Sequence, residues 1–98
     1  MAEWLYILRP PRQTFVEDMT DEESAIMSAH REYLDGLLAE GRLVLAGPSL
    51  GPVFGVAIIE ADDETEARVV MEADPAVRSG LQQAELSPFR VSILRGRD

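Results

Sequence analysis

Residues 43–61 read LVLAGPSLGPVFGVAIIEA. Two apolar runs, Leu43–Ala46 and Val53–Ala61, flank Gly47-Pro48-Ser49-Leu50-Gly51-Pro52, a segment with two Gly-Pro pairs. Branched and aliphatic runs bounded by turn residues predict two strands joined by a turn. The sequence on either side of this hairpin changes to a helical period. Upstream, from Thr20 to Glu40, Ile26, Tyr33, Leu34, Leu37 and Leu38 recur at helical spacings and form one stripe. Thr20 followed by Glu23 is a capping box, Asp21, Glu22 and Glu23 suit the positive end of the helix dipole, and Gly41 terminates the helix as a C′ residue. Downstream, Asp62 or Asp63 caps a second helix that runs to about Ala73, with Ala67, Val70 and Met71 facing inward.

The outer segments complete the pattern. Trp4 to Leu8 reads as a first strand stopped by Arg9-Pro10-Pro11, and Phe89 to Leu94 reads as a fourth. Arg12 to Met19 is a long connection containing Phe15, Pro75 to Leu81 allows one short helical turn, and Arg95 to Asp98 is a polar tail. The order is βαββαβ. It predicts one α+β domain over residues 1–98, ferredoxin-like, with a four-stranded antiparallel sheet and both helices on one face.

The strands carry a second message. In the first, Trp4, Tyr6 and Leu8 point one way while Leu5 and Ile7 point the other. Leu43-Val44-Leu45-Ala46 and Val56-Ala57-Ile58-Ile59 are apolar without alternation. A sheet with one solvated face should alternate. Helices cover only one face here, and soluble monomers avoid large exposed apolar patches. The expectation is a homodimer that packs sheet on sheet into an α+β barrel.

Composition narrows the function. The net charge is −9 and the pI is about 4.5, so nucleic acid and anionic membrane surfaces are poor partners. The nine basic residues are all arginine, which removes lysine Schiff-base chemistry. There is no cysteine, hence no thiol nucleophile, disulfide or thiolate metal site. With a single histidine as well, a zinc site is not expected, and no cofactor is called for. The start, Met1-Ala2-Glu3-Trp4, lacks the basic region of a signal peptide, and no apolar run approaches the ~20 residues of a membrane span. A cytoplasmic protein is expected.

The lone histidine, His30, lies four residues after Ile26 and four before Leu34, on the apolar stripe. The second helix repeats the anomaly: seven residues after Ala67 its inward stripe reaches Asp74. Inward titratable groups are costly unless paired, and they concentrate at functional sites. Spacing alone equally suits a core histidine bonded to a backbone carbonyl, and an Asp74 that merely caps a turn starting at Pro75. If the two meet, the carboxylate orients the imidazole for acid/base work, with either residue as the acid.

Three further places are candidates for ligand contact. Gly47-Pro48 is hairpin punctuation or a site where a ligand approaches the backbone, and Ser49 adds a hydroxyl without any serine-triad motif around it. Arg9, at the end of the first strand, is a solvated terminus or a clamp for an anionic substrate. Trp4, Tyr6 and Tyr33 read as core.

Taken together, Arg9-Pro10, His30-Arg31-Glu32-Tyr33-Leu34, Glu40-Gly41, Ala46-Gly47-Pro48, Glu66-Ala67 and Asp74-Pro75 resemble the YciI-like (YCII-related) domain family over nearly the whole chain. The resemblance implies a ferredoxin-like dimeric α+β barrel and a pocket in which His30 and Asp74 form a catalytic dyad. One relative in that family eliminates chloride from a chlorinated hydroxylated aromatic, and muconolactone isomerases share the barrel. The Pro10-to-Met19 insertion and the Ala76 that follows Asp74-Pro75 depart from the family pattern, so no substrate transfers. Two functions follow as expectations. One is a small cofactor-independent isomerase or lyase that moves a proton on a small cyclic or aromatic metabolite. The other is a non-catalytic dimeric module that binds a small ligand or a protein.

Overall fold

The structure is a computed structural model and describes residues 2–96. Eight elements follow in order: β1 (Ala2–Arg9), α1 (Phe15–Asp18), α2 (Asp21–Ala39), β2 (Leu43–Leu50), β3 (Val53–Ala61), α3 (Glu64–Ala73), α4 (Pro75–Arg78) and β4 (Gln83–Phe89). The strands form one antiparallel sheet in the order β2-β3-β1-β4. This is the expected ferredoxin-like arrangement. β1 and β3, which are not consecutive in the chain, lie side by side at its centre.

Local chemistry sets the element ends. The Thr20 hydroxyl accepts from the Glu23 N–H at 3.1 Å, and the Glu23 carboxylate accepts from the Thr20 N–H at 3.0 Å, closing the capping box of α2. Gly41 leaves that helix at φ +76°, a conformation that glycine adopts without a Cβ penalty. Of the two candidate caps for α3 the structure selects Asp63, whose carboxylate accepts from the Glu66 N–H. The expected long connection after β1 is not wholly irregular: Phe15–Asp18 winds into the short helix α1, and Phe15 is buried.

The core lies between the sheet and the α2/α3 layer. β1 contributes Trp4, Tyr6 and Leu8, and β3 contributes Ala57, Ile59 and Ala61. The helices bring Leu34, Leu37, Val70 and Met71. The inward stripe of α2 is narrower than the sequence pattern indicates, because Leu38 remains 58% exposed.

Two strand boundaries differ from the sequence reading. β4 spans Gln83–Phe89, so the expected strand over Phe89–Leu94 is displaced toward the N-terminus by about its own length. β2 continues through Gly47, Pro48 and Ser49 to Leu50, so only Gly51-Pro52 remains as the turn. Both corrections have one cause. β2 and β4 are the edges of the sheet, and an edge strand tolerates Pro48 or Pro88 where a central strand would lose a ladder bond.

The second face of the sheet is apolar only in part. Leu5 pairs with Ile58 and Ile7 with Val56, so these four side chains share the face away from the helices. On the β4 side the partners of Leu5 and Ile7 are Ser87 and Glu85, which are exposed and polar. The apolar area therefore covers the β1 and β3 region and stops at β4. Within residues 2–96 no helix is long and apolar enough to cross a membrane. Met1 and, in the expected polar tail, Arg97 and Asp98 lie outside the described residues.

Candidate functional site

His30 sits in the middle of α2, and Asp74 sits at the junction of α3 and α4. Pro75 biases its predecessor toward extended backbone, and Asp74 adopts φ −62° and ψ 125°. That bend ends α3 and starts α4 at one residue. It also turns the Asp74 side chain into the space between α2 and the sheet, where its exposure is 0%.

Three donors converge on this carboxylate. The Ala76 N–H reaches Oδ1 at 2.9 Å, the Tyr6 hydroxyl reaches Oδ2 at 2.9 Å, and His30 Nδ1 lies 2.8 Å from both oxygens. Asp74 thus caps α4 and orients His30 at once; the two roles weighed from the sequence coexist. A carboxylate only accepts hydrogen bonds, so His30 Nδ1 carries the hydrogen in this pair. That tautomer leaves Nε2 with its lone pair free when the ring is neutral.

The Tyr6 partnership was not legible as a site feature in the sequence, where Tyr6 reads as core. Its ring is core, but its hydroxyl is committed to Asp74. Burial, and then the negative charge of Asp74 and the hydrogen bond to it, hold the Tyr6 phenol well above its ordinary pKa. The phenol therefore remains a donor. Tyr33, one helical turn beyond His30, donates to the Val70 carbonyl at 2.6 Å and ties α2 to α3. Its phenol is also pushed up, first by burial and then by Asp74.

His30 opens onto a cleft of about 520 Å³ between α2, the β2–β3 edge and the segment carrying α1. The His30 side chain is 14% exposed. Nε2 has no hydrogen-bond partner among the described residues, and no buried side-chain nitrogen or oxygen is left unpaired there. Nε2 is consequently reached from the cleft. The walls are mostly apolar: Leu8, Phe15, Met19, Met27, Leu34 and Ala57 among them. Asp74 lies behind His30 and does not itself line the cleft.

The other sequence candidates divide. Gly47 and Pro48 line the cleft, and a Cβ built at Gly47 would meet nothing within 4 Å. Ser49 and Arg9 lie outside its lining. Arg9 is 54% exposed and pairs with Glu85 at 3.1 Å. Arg31, the only cation among the described residues on the wall, is 78% exposed and paired with Asp35 at the rim. Among the described residues no three His, Cys, Asp or Glu side chains are grouped to hold a metal ion.

The insertion from Pro10 to Met19 closes one side of this cleft with Phe15, Val16 and Met19. It is fastened at two points. Arg12 forks onto Glu23 at 2.7 and 3.0 Å and bonds Asp18 at 2.8 Å, with its guanidinium over the Phe15 ring. The Gln13 side chain donates to the Val53 carbonyl and accepts from the Val53 N–H, as a neighbouring strand would.

The comparisons with known proteins agree with this fold. Residues 4–90 match the YCII-related domain model. The uncharacterized protein YjpA of Bacillus subtilis (strain 168) is 37% identical over 65 residues, which cover 66% of this chain and 76% of that protein. Among solved structures, the fold is similar to 5-chloro-2-hydroxyhydroquinone dehydrochlorinase (TftG) from Burkholderia phenoliruptrix AC1100 in complex with 2,5-dihydroxybenzoquinone. The TM-score is 0.65 at 23% identity, covering 89% of this chain and 93% of that one. With its fold, and with a family model matched along nearly its whole length, this chain belongs to the YCII-related domain family.

Proposed function

We propose that this chain is a small cofactor-independent enzyme that moves a proton on a small cyclic or aromatic metabolite, as an isomerase or a lyase. One observation carries the reading: an imidazole whose Nδ1 is fixed by a buried carboxylate presents its other nitrogen to an open, mostly apolar cleft. That is the arrangement of a general base. A sealed pair would serve structure alone.

The reaction follows from the tautomer. Nε2 takes a proton from the substrate, and the bond's electron pair stays on the substrate as an enolate or phenolate. The imidazolium that forms lies against Asp74, whose charge it offsets. Tyr6 and the Ala76 N–H hold the carboxylate in place throughout. An isomerase returns the proton to another atom. In a lyase the retained electron pair forms a new double bond, and a leaving group departs with the electrons of its own bond. One solved structure of similar fold is a dehydrochlorinase in complex with 2,5-dihydroxybenzoquinone, which favours a ring substrate. Gly47 and Pro48 shape the wall, and Arg9 and Ser49 lie outside it.

The working unit is proposed to be a cytoplasmic homodimer that covers Leu5, Ile7, Val56 and Ile58 of the second sheet face. Sedimentation at micromolar concentration checks this, and a monomer would refute it.

The catalytic reading is tested on a panel of hydroxylated and chlorinated ring compounds that includes 5-chloro-2-hydroxyhydroquinone. Turnover is followed by absorbance, chloride release and deuterium uptake from solvent. His30→Ala and Asp74→Asn are expected to lower kcat on the best substrate by roughly 10²–10⁴-fold. Unchanged activity in both variants would overturn the dyad.

A further inference from the structure

Among the described residues the buried polar or charged side chains are Asp74 and Gln82. Asp74 is fully accounted for. Gln82 is not: it is 7% exposed, yet its amide has a single side-chain partner, the Met27 thioether sulfur at 3.5 Å. A thioether is a weak acceptor, whereas an amide has two N–H donors and a carbonyl with two lone pairs. No buried side-chain nitrogen or oxygen lacks a partner, so the unpaired amide oxygen keeps some exposure, and Gln82 lines the cleft.

The fold places this amide deliberately. Gly80, at φ +81°, turns the chain out of α4, and the Gln82 N–H then donates to the Ala76 carbonyl at 3.0 Å. Ala76 is the residue whose own N–H holds Asp74. Met27, against the Gln82 amide, is one helical turn before His30 on α2 and lines the same cleft. The amide and the His30 imidazole therefore share one wall, fixed through the same short helix.

We infer that Gln82 is a substrate-orienting residue: its amide bonds a hydroxyl or carbonyl oxygen of the ligand while His30 Nε2 engages the exchanging proton. This rests on the catalytic reading of His30 and narrows its substrate class. The ligand is uncharged, mostly apolar, and carries an oxygen substituent distinct from the group that loses the proton. A carboxylate or phosphate is disfavoured because Arg31, the wall's only cation among the described residues, stands at the solvent rim and is already paired.

The test uses three ring probes of similar shape: hydroquinone under argon, p-xylene and terephthalate. Each is titrated into ¹⁵N-labelled protein. Hydroquinone is expected to shift the Gln82 side-chain amide and the His30 ring resonances, and terephthalate to shift neither. Gln82→Leu, close in shape but without polar atoms, is expected to bind hydroquinone about tenfold more weakly and p-xylene no more weakly than the wild type. A Gln82 amide resonance unmoved by saturating hydroquinone would overturn the inference, and this readout needs no variant to fold. Equal hydroquinone affinity in Gln82→Leu, or tighter binding of terephthalate, would overturn it too. Because these measurements read binding and not turnover, they separate from the dyad test. A fully active His30→Ala with a hydroquinone-selective loss in Gln82→Leu would sink the proton-transfer reading and leave Gln82 in place.

Discussion

Two carboxylates in this molecule each gather three hydrogen bonds, and they use them differently. Glu23 takes two from the fork of Arg12 and one from the Thr20 N–H, in a part-buried position beside exposed Asp18. Asp74 takes its three from the Tyr6 hydroxyl, the Ala76 N–H and the His30 imidazole, at 0% exposure. Glu23 faces a full, permanent cation, and its pKa is pulled down to about 2, chiefly by the Arg12 hydrogen bonds. Asp74 has no arginine. Two of its partners are neutral dipoles, and the third becomes a cation only when His30 takes up a proton. The first arrangement fastens a loop and stays the same through any reaction. In the proposed reaction the second is completed by a proton arriving from the cleft, so it would serve chemistry as well as structure.

The widest expected gap between the two is in stability. Asp74→Ala strands the Tyr6 hydroxyl, the Ala76 N–H and His30 Nδ1 in a closed space. Breaking a buried network from one side typically costs about 3–5 kcal/mol. Urea unfolding at pH 7 should show a loss in that range, whereas Glu23→Ala should cost clearly less. Equal losses would erase the distinction drawn here.

A narrower cut removes one donor. Tyr6→Phe keeps the ring in the core and deletes only the hydroxyl that bonds Asp74. Hydrogen bonds to charged groups are worth about 1.5–3 kcal/mol, and the variant should lose an amount within that range. If the hydroxyl positions Asp74, kcat should fall about tenfold with KM little changed, since Tyr6 does not line the cleft. A loss in KM alone would instead mean that Tyr6 acts on the ligand.

The same contrast explains what the sequence discloses. The fold is legible because its central elements obey simple periods. The α2 and α3 stripes, the capping box at Thr20 and the apolar β1 and β3 runs all predict the observed order. The edges are not, because prolines and polar residues are tolerated there. Pro48 reads as a turn but sits in β2, opposite Gly55. Gln83-Ala84-Glu85-Leu86 does alternate, yet Ala84 and Leu86 are a weak apolar signal beside Phe89-Arg90-Val91-Ser92-Ile93-Leu94. The stronger-looking pattern is where the strand has ended, and Ile93 is 94% exposed. At the site, His30 and Asp74 are visible as polar residues on apolar stripes. Tyr6 and Gln82 are not, because a tyrosine on a core stripe is ordinary and a glutamine in a loop has no period to violate. A buried carboxylate needs donors, however, and Tyr6 is an inward hydroxyl-bearing residue on a central strand. That requirement was the one available signal.

The smallest expected effect belongs to the surface network, and its pH dependence has a definite sign. Glu23 binds its proton more weakly in the folded chain, at about 2, than an ordinary glutamate does at 4.5. A depressed carboxylate stabilises the folded state above the unfolded pKa, and that contribution is lost as pH falls through the folded one. The stability difference between the wild type and Glu23→Gln should therefore be constant from pH 7 to about 4.5 and shrink toward pH 2. It should also decrease with added salt, because Arg12 and Asp18 are partly exposed. The readout is a series of thermal melts of both proteins across that range. Such a loss leaves the dyad intact but loosens Phe15, Val16 and Met19, so ligand affinity should weaken before His30 loses its partner. A wild-type advantage that persists undiminished at pH 2 would mean that Arg12 holds the loop by stacking on Phe15 and not through Glu23.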